Sequence, residues 1–146
     1  MKTHKLLGFL FILGGSLLLA GCATGAKYND VKATIPPLAQ DNGRIYFYRA
    51  SSLGAALNPD VKLNGDTVGT AKAKGFFYVD KPPGSYKVET TTEVKRELSL
   101  TLDKGQTRYV RFGVSFGFFV GHVYPELVEN DAGEKEIVDC HYTGIK

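Results

Sequence analysis

The chain is poor in the residue patterns that identify enzymes and metal proteins. It has only two cysteines among 146 residues and no Cys-x-x-Cys pair, so a zinc site has little support. No glycine-rich phosphate loop precedes a helical segment, which leaves nucleotide chemistry without support. After residue 22, apolar residues do not follow a helical period over three turns. These absences argue against catalysis and against a helical fold.

The N-terminal apolar run is too short to cross a membrane. It extends from Leu6 to Ala20 and has 15 residues, whereas a transmembrane helix needs roughly 17–25. Lys2 and Lys5 precede it, and no acidic residue does. A cationic start, a short apolar core and small residues at its end are typical of a secretion signal. The sequence therefore predicts an exported protein from which residues 1–21 are removed.

The residues at the end of this signal, Leu19, Ala20, Gly21 and Cys22, resemble the lipobox of bacterial lipoproteins. The resemblance implies cleavage before Cys22, a diacylglyceryl thioether on its sulfur and an acyl chain on its new N-terminus. The membrane is then a partner, reached through this lipid. Ala23 follows the cysteine, whereas Asp there resembles an inner-membrane retention signal of enteric-type bacteria. We therefore expect an envelope protein on the periplasmic side of the outer membrane, if the host has one.

Composition divides the chain into three parts. Residues 1–21 form the signal, and residues 22–42 mix small and polar side chains with the pair Pro36-Pro37. Because no apolar period runs through residues 22–42, they are interpreted as the lipidated cysteine followed by a flexible tether. About 20 such residues span roughly 25 Å as a coil or roughly 65 Å when extended. Residues 43–146 remain as one domain with its own core and an acidic C-terminal segment.

The mature chain carries almost no net charge. Residues 22–146 hold 16 basic and 15 acidic side chains, which gives no reason to expect nucleic acid as a partner. Residues 126–139 carry five more acidic than basic groups, and residues 22–125 carry five more basic than acidic ones. The acidic stretch is interpreted as a solvated segment beside a basic face. The alternative is contact of that basic face with anionic lipid headgroups.

From residue 43 onward, strand-like segments alternate with turn signals. The segment Arg44–Arg49 is aromatic and β-branched, as strands are. Asn64-Gly65 suits a two-residue hairpin turn, in which both residues take positive φ. Three leucines alternate with polar residues over 98–102, so they are expected to share the buried face of one strand. Several short strands at close spacing predict an all-β fold, a single small antiparallel β-sandwich.

One segment matches the spelling of a serine-hydrolase motif. Gly113–Gly117 reads Gly-Val-Ser-Phe-Gly, the G-x-S-x-G pattern that places a nucleophilic serine between a strand and a helix. The residues that follow, 118–121, are apolar, β-prone and end in glycine, which favours a bent strand over a helix. We therefore predict that Ser115 is not catalytic and that the chain has no catalytic residue.

The stretch 114–123 is nearly free of polar groups. Gly117 and Gly121 form a G-x-x-x-G pattern, but the stretch is about half the roughly 20 apolar residues that a membrane helix dimer needs. The favoured interpretation is a buried central strand. One alternative is an exposed apolar ridge that receives a partner or lipid. Another is a pocket for a small apolar ligand.

The side chains that could bind a metal are few. Asp139, Cys140 and His141 are consecutive, and His122 could join them only if the fold brought residue 122 close to residue 140. We expect no metal site and no cofactor. If Cys22 carries lipid, Cys140 has no partner in its own chain, so it is expected to be buried or to pair with another molecule.

Two sets of motifs resemble known families. Residues 61–69 and the segment 82–88, which contains a Pro-Pro-Gly turn, resemble PEGA-type domains, small β-sandwich modules of bacterial surface proteins. The segment 44–49, the same turn and the segment Gly117–Gly121 look like the lipoprotein family catalogued as domain of unknown function twenty-eight forty-six. This likeness covers about residues 42–128. It implies a β-sandwich, PEGA-like or immunoglobulin-like, and brings neither an enzyme activity nor catalytic residues.

These observations predict a membrane-anchored envelope lipoprotein that acts as a non-enzymatic binding or structural module, with an envelope protein as a partner. The first alternative is a carrier of a small apolar ligand or lipid, with its pocket near residues 114–123. The second alternative, a serine hydrolase, is the least supported.

Overall fold

A computed structural model describes residues 21–92, 96–118 and 121–144, and about half of these residues lie in β-strands. The strands are β1 (Gly43–Arg49), β2 (Asp60–Leu63), β3 (Asp66–Thr70), β4 (Gly75–Lys81), β5 (Gly84–Thr90), β6 (Arg96–Leu102), β7 (Thr107–Phe116), β8 (Gly121–Val128) and β9 (His141–Tyr142). Two short helices, α1 (Tyr28–Val31) and α2 (Asn130–Glu136), are each followed by a 3₁₀ turn, Lys32–Thr34 and Ile137–Asp139.

The strands form two sheets packed face to face, which confirms the predicted all-β sandwich. One sheet has the order β8-β7-β1-β4-β9, and the other has the order β3-β2-β5-β6. Every pair in the second sheet is antiparallel, as are β1–β4 and β7–β8. Two pairs, β1–β7 and β4–β9, are parallel. These pairs differ from the predicted antiparallel arrangement because the chain leaves the first sheet and re-enters it in the same direction.

The main core lies between the two sheets. Its aromatic centre is Phe47, whose ring stacks on Phe77 and Phe112 at centroid distances of 4.9 and 6.1 Å. Leu100 and Leu102 face this core from β6 and are 5% and 0% exposed, with Leu98 packed at its border. The period of two over 98–102 therefore gave the correct face, since successive strand side chains point to opposite sides.

The turn between β2 and β3 is the hairpin expected from Asn64-Gly65. Both residues have positive φ, 51° and 92°. Positive φ at both central positions matches the right-handed twist of the flanking strands, and asparagine and glycine adopt it at least cost. The side-chain oxygen of Asn64 also accepts a hydrogen bond from the backbone N–H of Lys87 at 2.8 Å, which joins the turn to β5.

A second apolar layer covers the outer face of the five-stranded sheet. Tyr46, Tyr48, Phe76 and Tyr109 are buried there, which explains why every residue of β1 is buried. The C-terminal acidic segment contributes α2 to this layer. The hydroxyl of Tyr48 donates a 2.7 Å hydrogen bond to the carboxylate of Glu136, so this part of the segment is docked rather than solvated.

Residues 22–36 also pack on this outer layer, which differs from the flexible tether expected over 22–42. The N–H of Tyr28 donates to the carbonyl of Cys140 at 2.8 Å, and its ring meets Tyr46 and Phe76 edge-on at 5.7 and 5.3 Å. The carbonyl of Pro36 accepts a 2.9 Å hydrogen bond from Arg44. A helix of four residues shows no detectable period in a sequence, so its one apolar turn gave no signal.

Candidate functional site

Cys22, the residue predicted to carry lipid, lies at one end of the sandwich. It is exposed, and its thiol is free. Its backbone forms a parallel bridge with Ala73, and the N–H of the next residue, Ala23, donates to the carbonyl of Ala73 at 2.9 Å. Ala73 belongs to the loop 71–74, which joins β3 to β4. The predicted lipid attachment point is therefore held directly against the domain.

The strand directions decide which loops share this end. Because β4 begins next to Cys22, its antiparallel partner β1 ends there, and so does β7, which runs parallel to β1. The loop 50–59, the loop 71–74 and the turn between β7 and β8 therefore lie at the same end. We call the region formed by Cys22 and these three segments the Cys22 end.

A fully buried arginine fixes the loops of the Cys22 end. The guanidinium of Arg49 donates to the carbonyls of Leu53, Gly54 and Leu57 at 2.5, 2.8 and 2.6 Å, and to that of Ala71 at 3.0 Å. Burial lowers the pKa of Arg49, because the charged form loses its water. The four carbonyl dipoles replace that water and tie the loop 50–59 to the loop 71–74.

Sequence reasoning did not find this role for Arg49. Its partners are backbone carbonyls, and a carbonyl leaves no signature in the residue types of a loop. The one signal available was the uncharged stretch 50–58 directly after a strand ending in arginine. That stretch offers the guanidinium no acidic partner, so a buried arginine must find backbone acceptors instead.

The β7–β8 hairpin projects from the Cys22 end. Tyr48, one residue before the end of β1, pairs with Arg111, and β7 continues to Phe116. At about 3.3 Å per residue, the four residues that extend past the end of β1 reach roughly 13 Å. Phe116 is 61% exposed and Phe118 is 99% exposed.

The interpretation of 114–123 as a buried central strand is therefore wrong. Val114 and residues 121–123 are buried or partly buried, whereas the described residues between them, 115–118, are exposed. The alternative of an exposed apolar ridge agrees with the structure. An uninterrupted apolar run predicts contact with something apolar, and it does not distinguish the protein's own core from an external surface.

The loop 50–59 supports this hairpin along its side. A Cβ on Gly54 would lie 3.2 Å from Val114, and a Cβ on Gly121 would collide with Leu57. Gly54 also has a positive φ of 62°, so both the contact and the backbone favour glycine there. Leu53, in the same loop, is 53% exposed.

Ser115 does not lie in a nucleophile elbow. It is exposed near the end of β7, and a second strand rather than a helix follows the turn. His122 is directly opposite Ser115 in the β7–β8 register, and its Nδ1 is buried with no hydrogen-bond partner in the described structure. The sharp strand-to-helix turn that an elbow needs is not formed by residues 113–118.

The residues considered for metal binding do not come together. His122 lies on β8, whereas Cys140 is buried in the outer apolar layer beneath α1. Over residues 21–92, 96–118 and 121–144, no three His, Cys, Asp or Glu side chains are placed to share a metal ion. Burial raises the pKa of the Cys140 thiol to about 12, so the thiol stays protonated. Cys140 is 1% exposed, which confirms that it is buried.

The grooves beside the hairpin are open and partly polar. One, of about 350 Å³, runs between Leu57, Thr91 and Gly121, and another, of about 360 Å³, lies between Glu97, Ser115 and Tyr124. A smaller and more apolar groove of about 230 Å³ lies elsewhere, between α1 and the β4–β9 edge. No helix in the described part of the chain is long and apolar enough to cross a membrane.

Comparisons with known proteins give a family and a relative. The family model described as "Protein of unknown function (DUF2846)" matches residues 39–123, which include Arg49, the whole of β7 and the first three residues of β8. A protein of Haemophilus influenzae titled "Uncharacterized protein" is 31% identical over 132 residues, covering 86% of this chain and 78% of the relative. No solved structure matches the chain.

Proposed function

The chain belongs to the DUF2846 family of proteins of unknown function, and we propose that it is a membrane-anchored envelope lipoprotein. Its β-sandwich is a non-enzymatic binding or structural module, and a lipid on Cys22 holds the module at the membrane. Ala23 after the cysteine favours the outer membrane, on its periplasmic side, in a host that has one.

The observation that carries this proposal is the position of Cys22. The residue that closes the lipobox-like run Leu19-Ala20-Gly21-Cys22 is exposed at the rim of the domain, with a free thiol. A diacylglyceryl group on this sulfur would extend away from the fold without displacing a core residue. The other cysteine, Cys140, is buried and protonated, so it could not accept such a group without unfolding.

A binding or structural role is supported by how the side chains of the described residues are used. The charged groups buried in the sheets hold elements together, as Arg44 does through a two-point ion pair with Asp80 at 2.6 and 2.7 Å. Arg111, which is only partly buried, joins β7 to α2 through Glu136 at 2.9 Å. We infer that an envelope protein is the partner of the exposed surfaces, while the buried charges serve the fold.

The carrier alternative receives less support from the groove volumes. Sites for small molecules are typically enclosed, apolar and roughly 300–1,000 Å³ in volume. Near residues 114–123 the grooves reach that volume, but they are open and contain Glu97 and Thr91. The more apolar groove beside α1 is about 230 Å³, below that range.

Metabolic labelling tests the anchor. Cells that express the full chain are fed radioactive palmitate, and the protein is captured and counted for label. We expect the wild type and Cys140→Ala to be labelled and Cys22→Ser to lose the label completely, because acylation needs the thiol of Cys22. Label is the better readout than membrane fractionation, since an uncleaved signal can also hold the variant in the membrane. Equal labelling of Cys22→Ser and the wild type would refute the proposed anchor.

A further inference from the structure

We propose that the exposed apolar end of β7, residues 116–118, is a second membrane contact, inserted into the outer part of the same bilayer that holds the lipid of Cys22. The inference rests on the proposed function, because the lipid brings the Cys22 end to the membrane. It adds an orientation: the long axis of the sandwich stands on the bilayer with the Cys22 end down.

The predicted lipid attachment point lies directly against the domain. Residues 22–36 are packed on the domain, so their length is not available as a spacer. The backbone bridge between Cys22 and Ala73 and the 2.9 Å hydrogen bond from Ala23 hold the attachment point on the loop 71–74. A diacylglyceryl group on Cys22 has its ester groups at headgroup level. The Cys22 end must therefore lie at the membrane surface.

The most exposed apolar side chains of the described residues lie at the same end as Cys22. Five large apolar side chains of the described residues are exposed. The three most exposed, Leu53 at 53%, Phe116 at 61% and Phe118 at 99%, all lie at the Cys22 end. Exposed apolar side chains gathered in one place mark an interaction surface, whereas single ones need no explanation. Phenylalanine and leucine are among the apolar residues that interfacial segments bury at the boundary between headgroups and acyl chains.

The β7–β8 hairpin extends past the end of its neighbouring strand, β1. Phe116, the last residue of β7, stands roughly 13 Å beyond the end of β1, at about 3.3 Å per strand residue. Interfacial segments typically enter about 5–10 Å into the boundary between headgroups and acyl chains. Phe116 and Phe118 can therefore reach that depth while the end of β1 and the start of β4 stay among the headgroups, with Leu57 of the loop 50–59 beside Gly121 at the level of Phe116.

The β7–β8 ladder pairs Val114 with Val123 and Phe116 with Gly121, so the backbone groups that face across the hairpin are paired. The outward-facing backbone groups of both strands confine the contact to the outer part of the bilayer, where water and headgroups can satisfy them.

The charge of the Cys22 end fits a bilayer. The sequence from residue 113 to residue 121 has no charged side chain that would resist insertion. Lys72 and Lys74 lie in the loop 71–74 beside Cys22, and Lys72 is exposed. Lysines at this height attract the anionic headgroups of the membrane. An apolar tip flanked by lysines next to a lipid attachment point matches the bilayer in both chemistry and position.

Tryptophan fluorescence tests the contact, because the chain has no tryptophan of its own. The lipidated full-chain product is purified from membranes as Phe118→Trp and reconstituted into phosphatidylethanolamine–phosphatidylglycerol vesicles, with or without brominated acyl chains. We expect the indole emission to shift to the blue and to be quenched by the brominated lipid, and aqueous iodide to lose access to it. The matched control is Leu127→Trp, which is 38% exposed and lies toward the other end of β8. Its emission should respond to iodide and not to brominated lipid.

The outcomes separate this inference from the proposed function. The mass of the N-terminal peptide and flotation with vesicles report the lipid on Cys22, and quenching reports the hairpin. A lipidated, floating protein whose Phe118→Trp emission is unaffected by brominated lipid overturns the second contact alone. Shielding from iodide without quenching by brominated lipid also overturns it and indicates that protein, from the same or a second copy of the chain, covers residue 118. A protein without lipid on Cys22 overturns both proposals.

Discussion

Truncation of Leu100 is expected to cost a large part of the stability of the sandwich. Leu100 is 5% exposed on β6, pairs with Tyr86 of β5 and faces the core between the sheets. Leu100→Ala removes three carbons from that core, worth about 0.8 kcal/mol each in transfer energy, and leaves a cavity. The total for such buried leucines is roughly 2–5 kcal/mol. Domains of this size have about 5–15 kcal/mol in all.

The assay is thermal unfolding of the mature chain followed by circular dichroism. At about 4 °C per kcal/mol for a domain of this size, Leu100→Ala should lower Tm by roughly 8–20 °C. Ser99 and Thr101 are the exposed neighbours of Leu100, and their alanine variants should stay within about 0.5 kcal/mol of the wild type. Equal and small shifts for all three variants would refute the assigned face of β6. A dominantly helical spectrum would refute the fold.

Three further predictions concern single positions. Gly133→Ala should lower the free energy of unfolding in urea by about 1–3 kcal/mol, because its Cβ would collide with the buried ring of Tyr109. Gly84→Ala is the control and should be near neutral, because its Cβ would make only an ordinary contact with Tyr86 at 3.8 Å. The wild type should not react with a fluorophosphonate probe, and Ser115→Ala should behave in the same way. A wild type that is labelled, with the label lost in Ser115→Ala, would instead support the serine-hydrolase alternative. Cys140 should resist thiol reagents at pH 8 until the chain unfolds, and fast labelling of the folded chain would contradict its burial. The free energy of unfolding should also fall as pH rises from about 9 towards 12, because the thiol ionises at a lower pH in the unfolded chain than in the folded chain.

The parts of the fold that sequence reasoning predicted are those with strong local signals. The Asn64-Gly65 hairpin depends on two residues that accept positive φ, and the buried leucines of β6 depend on a period of two within five residues. Both signals are contained within one strand or within two strands that are neighbours in the sequence. The crossing that makes β1 and β7 parallel depends on how distant strands pack, and no local pattern specifies it.

Sequence reasoning predicted Cys22 as the lipid attachment residue, but it did not predict the contacts that surround Cys22. A four-residue run predicts the lipid attachment, but the contacts that hold Cys22 on Ala73 come from backbone groups of a distant loop. The role of Arg49 was missed for the same reason, since carbonyl acceptors carry no residue signature. The hairpin turn was assigned to the core because apolar composition reports that a surface avoids water and does not report what covers it.

Mass spectrometry of the protein purified from membranes tests the central claim most directly. We predict an N-terminal peptide that begins at Cys22 and carries the mass of a diacylglyceryl group and one further acyl chain. Burial of more than one acyl chain gives stable anchoring, at about 0.8 kcal/mol per CH₂, so this species should remain with the membrane through washing. An unmodified, soluble protein whose first residue lies elsewhere would contradict the account.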